Sequence, residues 1–227
     1  MSTNTGPRRG ERRPSWLSDT LWPYRIEELR IGENSVAYSE TGTGPPLLLV
    51  HTGMWSFLWR DLLAQLQSRF RVIVVDAPGT GLSTGPSRPT IDDAAAAVDA
   101  VVTALDLDGF VLGFHDLGGP TALTAVARWP ERVRGLIAIN SFGWQPHSRP
   151  FRLMLRLMGS APMRELDVWT GWLPRASTTR FGVGRNWDRE TRRTFRKAMD
   201  HRGRRSFHHY MGSARRHDYT AALDGPT

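Results

Sequence analysis

Apolar residues along the chain fall into two alternating patterns. Residues 47–50, 72–75, 110–112 and 136–139 are unbroken apolar runs of strand length, the pattern of strands covered on both faces. Between them apolar positions recur every three or four residues, as helices require. Leu58, Leu62 and Leu66 mark one helix within 54–70. Ala95, Val98, Val102 and Leu105 mark a second, opened by Thr90 with Asp93 three residues on, the spacing of a capping box. A third covers 123–129 and stops at Trp129-Pro130. Ahead of them, 29–31 and 35–39 read as short strands joined by a turn at Gly32-Glu33-Asn34.

Strict alternation from Leu47 onward predicts an α/β fold, a mostly parallel sheet flanked by helices. Ligands of such sheets bind beyond the C-terminal strand ends. His51, Asp76, Asp116 and Ser141 occupy those ends. After Gly143 the strand pattern stops, and 151–158, 163–172, 188–200 and 206–215 read as short helices rich in Met, Trp and Phe. Most of those large side chains are expected to pack this segment. The expected division is a disordered basic tail over 1–20, a core over 21–144 and a helical cap region over 145–227.

Composition narrows the chemistry. The 227 residues contain no cysteine, which excludes disulfides, thiol catalysis and cysteine-held zinc. Net charge is +8, and Lys197 is the only lysine. With no nucleic-acid motif beside it, the arginine excess reads as a solvated cationic face, and no nucleic-acid partner is expected. The N-terminus lacks the apolar stretch of a secretory signal, and no apolar run reaches the roughly 20 residues of a bilayer span. The expectation is a cytoplasmic protein without a membrane partner.

The stretch from Gly113 to Pro120 carries the strongest chemical signal. An apolar strand turns sharply into a helix, and Asp116 stands at the tip with Gly118 and Gly119 just behind it. Glycines let helix and strand approach closely. Backbone N–H groups and the helix dipole make the tip favourable for a carboxylate. The geometry is that of a nucleophile elbow, although an Asp at a helix start also serves as an ordinary cap.

Four motifs together resemble the α/β-hydrolase superfamily, in the branch of haloalkane dehalogenases and epoxide hydrolases. They are His51-Thr52-Gly53 followed by Trp55 through Arg60, Asp76-Ala77-Pro78-Gly79-Thr80-Gly81-Leu82-Ser83, His115-Asp116-Leu117-Gly118-Gly119, and Trp129-Pro130-Glu131-Arg132-Val133. The resemblance implies Asp116 as nucleophile on an sp³ carbon, forming an ester that water later cleaves. It implies the N–H groups of Thr52 and Leu117 as oxyanion donors, with Trp55 as the nearest side-chain candidate for a leaving group. His51, Phe142, Trp169 and Tyr210 are the expected substrate-pocket residues. A small apolar molecule with an electrophilic carbon is the implied partner, and neither metal nor organic cofactor is required.

The chain also departs from that branch. Leu117 stands where dehalogenases usually carry a Trp, and the oxyanion turn reads His-Thr-Gly-Met rather than His-Gly-x-Pro. The C-terminal strands and the base-bearing loop are expected to be missing, which would leave 136–139 as an apolar edge. Among the remaining histidines, His201, His208, His209 and His217 fall in the cap region. A hydrolase, an incomplete or inactive relative and a basic binding module stand as competing readings. Oligomeric state is not set by these residues.

Overall fold

The computed structural model describes residues 13–219. Six strands form one sheet: β1 (Ile26–Ile31), β2 (Asn34–Thr41), β3 (Pro46–His51), β4 (Arg71–Asp76), β5 (Phe110–Asp116) and β6 (Val133–Ser141), in the order β1-β2-β4-β3-β5-β6. The hairpin β1–β2 is antiparallel and joins β4 antiparallel, while β4, β3, β5 and β6 run parallel. The expected apolar runs all lie inside these strands.

Eight α-helices appear among the described residues: α1 (Arg60–Leu66), α2 (Ile91–Ala104), α3 (Gly118–Val126), α4 (Arg149–Met158), α5 (Ala161–Thr170), α6 (Trp172–Ser177), α7 (Arg189–Ala198) and α8 (His201–Arg216). The capping box on α2 forms as expected, with Thr90 and Asp93 exchanging hydrogen bonds. The helix expected over 54–70 is shorter. Trp55 is extended, and the Ser56 N–H is committed to the Asp76 carboxylate, so a 3-10 turn precedes α1. The helix expected from residue 123 begins at Gly118, because its glycine- and proline-rich first turn carries no apolar period.

Alternate residues of the parallel strands feed two cores. Leu47, Leu49, Val72 and Val74 face one layer, with Trp55, Phe57 and Leu63. Leu48, Val50, Ile73 and Val75 face the other, under α2 and α3. The late helices join the first layer through Phe195, Met199, Phe207, Tyr210 and Met211. A fully buried pair ties them to one another: the His208 ring meets both the Met158 carbonyl and the Asp167 carboxylate, which also accepts from the Leu173 N–H.

The tail expected over 1–20 is folded from Arg13 on. The Arg13 guanidinium donates to the carbonyls of Trp22 and Tyr24, Leu17 is buried, and Trp16 packs edge-on against Trp55. These apolar anchors override the polar composition; residues 1–12 lie outside the described residues, as do 220–227. Strand β6 is the bare flank of the sheet, with Leu136 47%, Ile137 46% and Ile139 38% exposed. Among the described residues, no helix is long and apolar enough to cross a membrane.

Candidate active site

The ends of β3, β4, β5 and β6 converge on one rim of the sheet. At the end of β5, Asp116 adopts φ 51°, one of three non-glycine residues with positive φ among those described. That conformation costs an L-residue on the order of 1–2 kcal/mol. The surroundings hold it there. The sheet register shifts between His115 and Asp116, and the Ser141 hydroxyl donates to the Asp116 carbonyl at 2.6 Å. Behind the tip, a Cβ at Gly118 would strike the Val50 carbonyl, and one at Gly119 would strike the Phe142 carbonyl and the Ser141 hydroxyl.

The Asp116 carboxyl is half-buried. Burial raises its pKa above the ordinary carboxylate range, while the positive potential of His115 and a hydrogen bond from the Leu117 N–H pull it back. Leu117, an expected oxyanion donor, thus already addresses this carboxylate. Thr52, the other, is fully buried at the facing turn. Its hydroxyl lies 2.7 Å from that of Thr121, which donates to the Leu117 carbonyl at 3.3 Å. This hydroxyl chain couples the two turns, and Thr121 has no apolar or charged signature by which the sequence could have flagged it. Phe207 of α8 roofs the same place: its ring stands 3.1 Å from where a Gly53 Cβ would be, beside the Leu117 side chain.

The other expected site residues take different positions. His51 is 2% exposed and lies ring to ring with His115 at 5.1 Å. Burial, then the neighbouring imidazole, push its pKa down to about 3, so it is neutral and weakly basic. Trp55 is not offered to a leaving group. Its side chain hydrogen-bonds Asp76 and stacks on Phe57 at 4.5 Å, because the glycine at 81 leaves room for indole and carboxylate to meet. Asp76 accepts backbone N–H groups from Ser56 and Leu82 and is a loop anchor; burial lifts it to about 6 against those donors. The Tyr210 hydroxyl is buried and donates to the Pro78 carbonyl at 2.8 Å, which occupies it as a strut. Trp169 stands 84% exposed in solvent, so it lines no closed pocket here. Phe142 packs against Phe151 and Tyr219 beside the elbow.

Among the described residues, no histidine hydrogen-bonds the Asp116 carboxylate. His208 is committed to Asp167, and His217 pairs with the Thr124 hydroxyl at 2.8 Å. No cluster of three or more His, Asp or Glu side chains among the described residues has the arrangement of a metal site. The arrangement offers a carboxylate on a strained backbone with one backbone N–H, that of Leu117, directed at it.

Comparison with known proteins agrees with this fold. The family described as "alpha/beta hydrolase fold" matches residues 45–200. Haloalkane dehalogenase 2 of Mycobacterium tuberculosis is 33% identical over 147 residues, covering 63% of this chain and 51% of its own. A cis-3-alkyl-4-alkyloxetan-2-one decarboxylase of Shewanella oneidensis is 32% identical over 169 residues, covering 68% of this chain and 52% of its own. The chain thus spans about half the length of these curated relatives. Among solved structures, the haloalkane dehalogenase DatA of Agrobacterium tumefaciens C58 superposes with a TM-score of 0.70 at 20% identity, covering 92% of this chain and 77% of its own. An epoxide hydrolase of Vigna radiata gives 0.72 at 16% identity, covering 86% and 73%.

Proposed function

The chain belongs to the α/β-hydrolase fold family, and from that premise we propose that it is a hydrolase whose nucleophile is Asp116. One carboxylate oxygen attacks an sp³ carbon in line. The bond from that carbon to a halide or an epoxide oxygen breaks, its electron pair leaves with the departing atom, and an alkyl ester forms at Asp116. Water then adds to the ester carbonyl, with the Leu117 and Thr52 N–H groups as donors to the developing oxyanion. Collapse returns the carboxylate and releases an alcohol, one proton of the water going to the departing alkoxide and the other to solvent or, where an epoxide was opened, to its oxygen. Haloalkane dehalogenases among the relatives support this choice of electrophile.

The observation that carries the reading is the strained backbone of Asp116 at the strand-to-helix turn, with the Leu117 N–H on its carboxylate. A capping Asp needs neither the left-handed conformation nor glycines two and three positions on, at Gly118 and Gly119. Two consequences sharpen it. Leu117 has no side-chain donor and the Trp55 indole is committed to Asp76, so departure is unassisted and the rate should follow leaving-group quality, iodide before bromide before chloride. With no histidine on the carboxylate among the described residues, ester hydrolysis is the slower step, and the ester should accumulate.

Mass spectrometry of the protein after exposure to a panel of alkyl halides and epoxides tests this. The expected result is one alkyl adduct per chain, located on Asp116 and absent from Asp116→Asn. An adduct elsewhere, or turnover that survives Asp116→Asn, overturns the assignment. A folded protein that neither forms an adduct nor turns over any substrate favours the second reading, an inactive relative, which the committed histidines already support.

A further inference from the structure

Helix α7 carries a cationic stripe where most helices carry an apolar one. Arg189, Arg192, Arg193, Arg196 and Lys197 stand at i, i+3, i+4, i+7 and i+8 and so share one face. Thr191, Thr194, Phe195 and Ala198 turn the opposite way into the protein. Together with Trp187 the five cations line a groove of about 720 Å³. No carboxylate lines it. Asp188 and Glu190 lie at the helix start, and Asp188 is engaged in capping the Thr191 N–H.

Like charges three and four residues apart on a helix oppose one another. Here the cations are also held in place. Arg192 donates through Nη2 to the Gly184 carbonyl at 3.0 Å, and Arg196 through Nε to the Thr178 hydroxyl at 2.7 Å. Arg192 Nε is buried without a hydrogen-bond partner. The floor is rigid as well: Trp187 packs on Phe57 and Phe195 with the Arg60 guanidinium over its ring. An anchored guanidinium loses little freedom on binding, and its planar fork matches phosphate oxygens two at a time.

We propose that this groove binds a small soluble molecule carrying two or more phosphate groups, at a site that does not depend on the Asp116 chemistry. The stripe is about 12 Å long at the α-helical rise, room for two or three linked phosphates. The volume falls in the small-molecule range of about 300–1,000 Å³. A nucleic-acid duplex fits less well, since it needs a protruding element and the cations here line a concavity.

Isothermal titration of the full chain with tripolyphosphate and with orthophosphate, at near-physiological salt, tests the proposal. Tripolyphosphate is expected to bind at one site, about tenfold or more tighter than orthophosphate. Arg192→Gln with Arg196→Gln should weaken it by about tenfold. Since those two side chains also brace the Gly184 carbonyl and the Thr178 hydroxyl, the exposed pair Arg189→Gln with Arg193→Gln provides an independent variant with the same expected loss. Arg152→Gln with Arg156→Gln on α4 removes equal charge elsewhere and should change binding by less than about twofold. Equal loss in the α4 variant, or no binding by the wild type, overturns the site. Tighter binding of a short DNA duplex, or of vesicles containing phosphatidylinositol bisphosphate, with the same dependence on α7, overturns the small-molecule assignment.

Discussion

Asp116 sits between opposing influences, and its reactivity should report the balance. Burial raises its pKa, while His115 and the Leu117 N–H favour the charged form. Only the carboxylate attacks, so the rate of adduct formation should rise with pH and level off above the usual carboxylate range. Replacing His115 with Gln removes the stabilising charge and leaves the burial, so the rise should move to higher pH; the rate of mass gain against pH measures it. His51 leaves its signature in stability. Its folded pKa is pushed down to about 3 while the unfolded value is near the ordinary 6.5. The unfolded chain therefore binds an extra proton between those values, and stability contributed by the neutral ring is present above 6.5 and lost as pH falls. The difference in unfolding free energy between wild type and His51→Gln should change by up to about 1.4 kcal/mol per pH unit in that window. Denaturant titrations from pH 3 to 7 read the slope, and parallel curves would remove His51 from the account.

Helix α8 shows what an element can do that its sequence does not announce. Phe207 presses on the turn at Gly53, the Tyr210 hydroxyl bonds the Pro78 carbonyl, and the Ser213 hydroxyl accepts from the Ile91 N–H. One helix thereby pins two connections, the turn after β3 and both ends of the segment between β4 and α2. Tyr210→Phe leaves the buried Pro78 carbonyl unpaired and should cost about 1–2 kcal/mol in chemical denaturation, with no loss of adduct at Asp116. An aromatic residue in this region reads equally as strut or pocket wall until its partner, 132 residues away, is seen. Trp55 and Trp169 pose the same problem with opposite outcomes, one sealed against Asp76 and one in solvent. Local signals fared better. Apolar runs located the parallel strands, and Thr90 with Asp93 located the start of α2, because both depend on neighbours in sequence. The strand-Asp-x-Gly-Gly pattern located the strand-to-helix turn at Asp116 for the same reason. The Thr52–Thr121 link and the Phe207 roof are long-range pairings of ordinary residues, which no local pattern encodes.

At the scale of the molecule, two surfaces pull in different directions. The flank at β6 presents Leu136 on one side of the sheet and Ile137 and Ile139 on the other, all more than a third exposed. A strand with an open edge and apolar faces is a template for association. Against it stands a net charge of +8, which keeps copies apart at low ionic strength. Salt screens that repulsion over about 10 Å at 0.1 M and leaves apolar contact intact. Association should therefore rise with salt, and light scattering with sedimentation velocity across a salt series measures it. Ile137→Lys should suppress the rise while shifting unfolding free energy by no more than about 0.5 kcal/mol, since the side chain is already half in water. Were the α7 stripe driving association by bridging polyanions, salt would dissolve the complexes instead and Ile137→Lys would change nothing. The sign of the salt response thus separates an apolar edge from a cationic groove as the surface by which copies meet.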